Sequence, residues 1–205
     1  MRGPVTIAVT GPFASGKSTL VRLLGELPDT ETASADEMVH HLLKYDRRTI
    51  SRIVERFGEG MMGSDGIDRK ALGREVFGDA ETLRDLEEIL HPLVRDETDR
   101  RIEASEAEMF VAEIPLLFET DRDKDFDYSV AVTVPEERRR AWSGERGVDE
   151  AALRAIESRQ LTGEEKAKRA DLMVQNDGDL DRLREQAQDL GRKLLRERGS
   201  HGGLR

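Results

Sequence analysis

Apolar positions along the chain follow two periods. Short runs rich in β-branched residues, with little polar interruption, predict buried strands at Val5–Thr10 (VTIAVT), Met109–Ile114 and Ser129–Val134. Thr30–Asp36 and Asp171–Gln175 read as weaker strands. Elsewhere the spacing changes to three and four. Leu20, Leu23, Leu24 and Leu27 form one stripe over Lys17–Leu27, and Leu180, Leu183, Ala187, Leu190 and Leu194 another over Asp179–Arg196. Helix is also predicted over Glu37–Phe57, Asp68–Phe77, Glu81–Leu90, Arg138–Trp142 and Glu150–Arg159. Pro92 marks the end of one helix or the start of the next, and the glycine-rich Gly58–Gly66 reads as a loop.

Strands alternating with helices predict an α/β fold built on a parallel five-stranded sheet flanked by helices. Residues 57–105 carry helical patterns and no strand, so they read as a helical insertion between sheet strands. The sheet core then comprises 1–56, 106–135 and 160–198 of a single domain, and residues 199–205 are expected to be a loose tail.

Composition narrows the function classes. The 205 residues are 37% hydrophobic, enough for a real core, and the formal net charge is −10. Nucleic-acid and anionic-membrane binding need clustered positive charge, so neither is expected of this acidic surface. No stretch approaches the ~20 apolar residues of a membrane span, and the N-terminal apolar run is too short for a secretory signal. Absence of cysteine excludes disulfides, thiol catalysis and cysteine-based zinc sites. The expectation is a soluble cytoplasmic protein, most simply a monomer.

The chemistry is concentrated in GPFASGKST at 11–19. It fits G-x-x-x-x-G-K-[ST] in full, between a buried-type strand and an amphipathic helix. Gly11 and Gly16, with Ala14 and Ser15 between them, let the backbone turn its N–H groups inward around phosphate oxygens. The helix that begins at Lys17, Ser18 and Thr19 adds its positive end. Lys17 would reach the β- and γ-phosphates, and the Ser18 hydroxyl would bind Mg²⁺. The ligand is therefore expected to be a nucleoside triphosphate. Asp36, after the second strand in SADEMVHHLL, could accept a proton from a substrate hydroxyl, or cap the helix that follows; both can hold at once.

Several motifs together resemble dephospho-CoA kinase. VTGPFASGKST is similar to the family's LTGGIGSGKST, and SAD at 34–36 to its DAD. FGEGMMGSDGIDRKALGREVFGD at 57–79, LHPLV at 90–94, EIPLLFE at 113–119 and QLTGEEKAKRADLMVQN at 160–176 follow in the family's order. The resemblance implies a P-loop kinase fold and ATP- and Mg²⁺-dependent phosphorylation of the ribose 3′-hydroxyl of dephospho-CoA. It implies roles as well. Asp36 would be the general base, and Thr10 would lie near the reacting phosphates. His91 and Pro92 would belong to the insertion that receives the CoA side of the substrate. Pro115 and Leu116, in the stretch to Glu119, would help form the acceptor pocket. Arg146, in a lid over about 136–159, would swing onto the phosphates, with Arg140 also close to ATP. Asn176 would sit near the adenine.

Read from the residues alone, His91 could simply end a helix, and Leu116–Phe118 could be packing. Glu113 could hold Mg²⁺ through water. The match departs at Ser34, which replaces the first Asp of DAD, and at His40 and Trp142, where the family carries arginines; Arg139 or Arg140 could stand in for the latter. The alternatives are another small-molecule or nucleoside monophosphate kinase on the same scaffold, and a nucleotide-binding regulator without turnover.

Overall fold

The computed structural model describes residues 3–76 and 79–200, with side chains as far as Glu197. Its strands are β1 (Val5–Thr10), β2 (Thr30–Ser34), β3 (Met62–Gly63), β4 (Gly66–Ile67), β5 (Met109–Glu113), β6 (Tyr128–Thr133) and β7 (Leu172–Gln175). Its helices are α1 (Lys17–Gly25), α2 (Ala35–Tyr45), α3 (Arg47–Phe57), α4 (Arg69–Val76), α5 (Ala80–Ala104), α6 (Glu136–Glu145), α7 (Glu150–Glu157), α8 (Gly163–Arg169) and α9 (Leu180–Ser200). The chain falls into two units, Met1–Ala33 with Ala104–Arg205, and Ser34–Glu103. No helix among the described residues is long and apolar enough to cross a membrane.

The first unit is built on a five-stranded sheet of order β2-β5-β1-β6-β7. Strand β1 lies at its centre, parallel to β5 on one side, with Ile7 opposite Val111, and to β6 on the other, with Val9 opposite Val130. Strand β7 continues the parallel pairing beyond β6. A central strand has no solvated edge or face, which is why every residue of VTIAVT is buried and why the run is almost unbroken apolar. The stripes of α1 and α9 close on the same cluster as Ile7, Val9, Val111 and Val130, except that Leu180, expected on the α9 stripe, is exposed in the helix's first turn. Each leucine fully buried there contributes roughly 1.5–3 kcal/mol. This core holds the C-terminal ends of β1, β5 and β6 rigid, and the site is assembled there.

The second unit holds α2 to α5 and the antiparallel β3–β4 hairpin, with Met62 opposite Ile67. The sheet core expected over 1–56 includes α2 and nearly all of α3. Here they group with the helical unit, because α2 and α3 pack on each other and both pack on β4. The single helix expected over Glu37–Phe57 is interrupted at Asp46. That carboxylate accepts from the Thr49 N–H at 2.7 Å and its hydroxyl at 2.6 Å, and capping a new helix outweighs continuing the old one. Part of the expected glycine loop forms the hairpin.

Pro92 neither ends nor opens a helix; it lies inside α5. Its ring forfeits one backbone hydrogen bond, but Ile89, Leu90, Leu93, Val94 and Thr98 are buried on both sides of it. Packing of that stripe overrides the local penalty. Helix α8 was not predicted, since GEEKAKR shows no apolar period. Its signature is a capping box, in which the Glu165 N–H donates to the Thr162 hydroxyl and the Glu165 carboxylate accepts from the Thr162 N–H. Helix α9 continues through Ser200 where a loose tail was expected. The rest of that tail, from His201, lies outside the described residues, as does Phe77 of the helix expected over Asp68–Phe77.

Candidate active site

The loop between β1 and α1 has the geometry of an anion cradle. Gly11 stands at φ 151° and Gly16 at φ 92°. A Cβ on Gly11 would lie 2.5 Å from the Val132 carbonyl oxygen and 2.8 Å from the Ser15 hydroxyl. A Cβ on Gly16 would collide with the side-chain amide of Asn176. Glycine is therefore required twice, once by conformation together with the neighbouring strand and once together with a residue 160 positions away. Ala14 takes the left-handed conformation at φ 58°, and the Ser15 N–H donates to Pro12 O at 3.2 Å. Gly16 immediately precedes α1, so the first amides of that helix, which have no intrahelical acceptor, open at the end of the loop.

Lys17 is buried, and its ammonium donates across the loop to Pro12 O at 3.0 Å. The Ser18 hydroxyl donates to the Glu113 carboxylate at 3.0 Å. Glu113 closes β5 and is buried at the sheet end beside β1. Hydroxyl and carboxylate oxygen are hard donors of the kind Mg²⁺ takes, leaving its other positions to water and phosphate oxygens. Among the described residues no cluster of three or more His, Asp or Glu side chains forms a metal cage of its own.

Asn176 is the first residue after β7. Its N–H donates to Thr133 O at 2.7 Å and its side-chain amide to Ser15 O at 2.9 Å. It thus braces the phosphate loop from behind. It also lines a cavity of about 370 Å³ with Gly16, Thr19, Trp142, Arg146 and Leu180, the size of a pocket for one heterocyclic ring system.

The arginines of the segment expected to form a lid separate by environment. Arg139 is buried and pairs with Glu136 at 2.8 Å and with Glu157, joining α6 to α7. Arg140 lies on the surface between Glu136 at 2.8 Å and Glu150 at 2.7 Å. Arg138 stacks on Trp142 and donates to Gly178 O at 2.5 Å. Arg146, the residue after α6, is exposed, with its guanidinium 5.8 Å from the ring centroid of Phe13 in the phosphate loop. Of the two residues considered as stand-ins for the arginine absent at Trp142, both are occupied by carboxylates.

Thr10 is fully buried at the end of β1, and its hydroxyl donates to Pro115 O at 3.2 Å. Pro115 and Leu116 are half-buried and begin the turn that leaves β5, while Leu117 and Phe118 are core residues. Lys166 of α8 joins this group. It is fully buried and donates to Pro115 O, to Glu119 at 2.9 Å and to Thr10 Oγ1 at 3.4 Å. Burial pushes its ammonium below the usual lysine value, and the Glu119 carboxylate opposes that shift. No period in EEKAKR distinguishes Lys166 from its neighbours. Its only mark in the sequence is its place in the 160–176 motif.

In the second unit, Asp36 is exposed in the first turn of α2, and its carboxylate makes no hydrogen bond or ion pair to another described residue. The cap of α2 is Ser34, whose hydroxyl accepts from the Glu37 N–H at 3.5 Å, so the capping alternative for Asp36 falls away. His40 has the Arg69 guanidinium 3.0 Å from Nδ1. His91 is half-buried and Pro92 exposed, both mid-way along α5.

Comparison with known proteins gives one consistent result. The family model for dephospho-CoA kinase (CoaE) matches residues 5–182. The dephospho-CoA kinase of Symbiobacterium thermophilum is 39% identical over 96% of this chain and 83% of its own. That of Protochlamydia amoebophila is 34% identical over 92% and 95%. Among solved structures, a dephospho-CoA kinase from Campylobacter jejuni superposes with a TM-score of 0.65 at 25% identity, covering 93% of this chain and 97% of that one.

Proposed function

This chain belongs to the dephospho-CoA kinase family, and from that premise we propose how its own residues carry the reaction. The enzyme transfers the γ-phosphoryl group of ATP to the ribose 3′-hydroxyl of dephospho-CoA, giving CoA and ADP, the last step of CoA synthesis. The membership decides against the other-acceptor and regulator readings. The observation that carries the mechanism is the phosphate loop itself, with the Ser18 hydroxyl held on the Glu113 carboxylate beside it.

In this reading the loop amides from Ala14 to Thr19 and the Lys17 ammonium bind the β- and γ-phosphates. Ser18 and Glu113 hold Mg²⁺, which when bound offsets charge on the β- and γ-oxygens. Asp36 accepts the proton of the 3′-hydroxyl as its oxygen bonds to the γ-phosphorus and the bond to the β,γ-bridging oxygen breaks, with ADP as leaving group. A carboxylate with no partner of its own in the described chain suits that task. Arg146 leaves the face of Phe13 for the transferring phosphoryl group and stabilises its charge. Trp142 and Asn176 border the base of ATP. Arg140 keeps its place in the lid through its carboxylate partners. Pro115 and Leu116 form part of the acceptor wall, and His91 and Pro92 belong to the helical unit's share of acceptor binding. The acidic, cysteine-free composition fits a cytoplasmic enzyme.

The test is CoA formation from ATP, Mg²⁺ and dephospho-CoA, followed by mass, for the wild type and Asp36→Asn. General-base catalysis contributes about 10²–10⁴-fold. The variant should lose at least about 100-fold in kcat while its Kd for ATP stays within about twofold. An Asp36→Asn enzyme with wild-type kcat removes Asp36 from the mechanism.

A further inference from the structure

Among the described residues of the first unit, Lys166 carries a buried ammonium that the phosphate chemistry does not use. Lys166 has no exposed surface, so it cannot touch ATP or the acceptor. Its donors are instead shared among Pro115 O, Glu119 Oε1 and Thr10 Oγ1. An ammonium has three N–H groups, and three acceptors meet it here. Glu119 Oε1 also accepts from the Leu161 N–H at 2.7 Å. Thr10 Oγ1 accepts from Lys166 and donates to Pro115 O. The β1–β5 ladder already brings two of the segments together, with the Ile114 N–H donating to Val9 O at 2.9 Å, and this one charge adds a tie among three. They are the end of β1 where the phosphate loop starts, the turn 115–119 after β5, and the residues leading into α8.

Stability is a poor explanation for such a pair. Desolvating two charges costs several kcal/mol per ion, and apolar residues of the same shape often do as well or better. The Glu119 Oε2 atom is buried without a hydrogen-bond partner, so this pair is not even fully satisfied. What a buried, multiply bonded charge does supply is geometry, because each acceptor is held at a fixed distance and direction.

We propose that Lys166 is a positioning residue of this site: through Thr10 and Pro115 it sets the acceptor-side turn 115–119 against the start of the phosphate loop. The catalytic consequence rests on the reading that this turn forms part of the acceptor wall. Reactants misplaced by about an ångström lose on the order of 100-fold in rate, so the effect belongs in kcat rather than in nucleotide affinity.

The experiment compares the wild type with Lys166→Met, which keeps the length and loses the charge, with Glu119→Gln, and with the double variant Lys166→Met/Glu119→Met. For each, the Kd for ATP, the KM for dephospho-CoA, kcat, and the backbone amide NMR shifts are measured. Lys166→Met should fold, bind ATP within about threefold of wild type and lose about 30- to 100-fold in kcat. Its amide shifts should move chiefly over 10–16 and 114–119. Glu119→Gln, which keeps one acceptor, should lose less. If Lys166→Met fails to fold, the double variant, with no charge left uncompensated, takes its place with the same expectation. Wild-type kcat in a folded variant lacking the ammonium overturns the proposal. So do unmoved amides in those two segments, and this arm is independent of which acceptor is used. Failure of the wild type to make CoA would instead count against the acceptor reading, while the amide shifts still decide the positioning.

Discussion

Gly16 and Asn176 offer a test of how the phosphate loop is held. In Gly16→Ala the new side chain would sit at φ 92°, in the left-handed region. That costs about 1–2 kcal/mol for a non-glycine residue. The added Cβ would also collide with the Asn176 amide, which must move and give up its 2.9 Å bond to Ser15 O. Leaving a buried carbonyl unpaired costs about 1–3 kcal/mol. Gly16→Ala should therefore destabilise by about 2–5 kcal/mol, and Asn176→Ala, which loses only the bond, by about 1–3 kcal/mol. In the double variant there is no amide to displace, and the bond is lost once instead of twice. Its cost should fall short of the sum of the singles by about 1–3 kcal/mol. Urea unfolding of the wild type, both singles and the double, read by linear extrapolation, measures this directly. The Kd for ATP should weaken in the same rank order. Additivity within about 0.5 kcal/mol would refute the argument, since it would mean that Gly16 and Asn176 do not touch.

Three further expectations follow from the same geometry. Glu113→Gln should raise the Mg²⁺ concentration for half-maximal CoA formation by about tenfold or more, because a neutral amide replaces the carboxylate that accepts from Ser18; an unchanged Mg²⁺ titration would remove Glu113 from the metal site. Arg146→Ala should lower kcat by about 10- to 150-fold, the worth of one charge-assisted bond of about 1.5–3 kcal/mol, while Arg140→Ala should lower it much less, since Arg140 is engaged by Glu136 and Glu150. Hydrogen bonding from Arg100, aided by Arg101, holds the Glu97 carboxyl down to about 2 despite partial burial. A depressed carboxylate stabilises the fold above its unfolded value near 4.5 and loses that contribution as pH falls from there towards 2. Glu97→Gln should therefore flatten the decline of the urea midpoint between pH 4.5 and 2, and an unchanged decline would contradict the pairing.

The sequence by itself determined the parts of this protein whose physics is local. A strand buried on both faces must be a nearly unbroken apolar run, and a helix lying on it must carry a stripe at three and four, so β1, α1 and α9 were legible. The phosphate loop was legible because backbone conformation at Gly11 and Gly16 constrains residue type directly. Ordered motifs such as LHPLV and EIPLLFE carried the family. Tertiary structure decided what depends on partners far along the chain. Pro92 sits inside a helix because a stripe on both sides of it is buried. Only the fold could show that Asn176 reaches Ser15, that Glu113 meets Ser18, that Arg139 and Arg140 are taken by carboxylates while Arg146 faces Phe13, and that Lys166 lies buried on Thr10 and Pro115. The reason is physical: a charged side chain has the same identity whether it is solvated or buried, and its role is set by the acceptors the fold brings to it, which no spacing within the seven residues of GEEKAKR records.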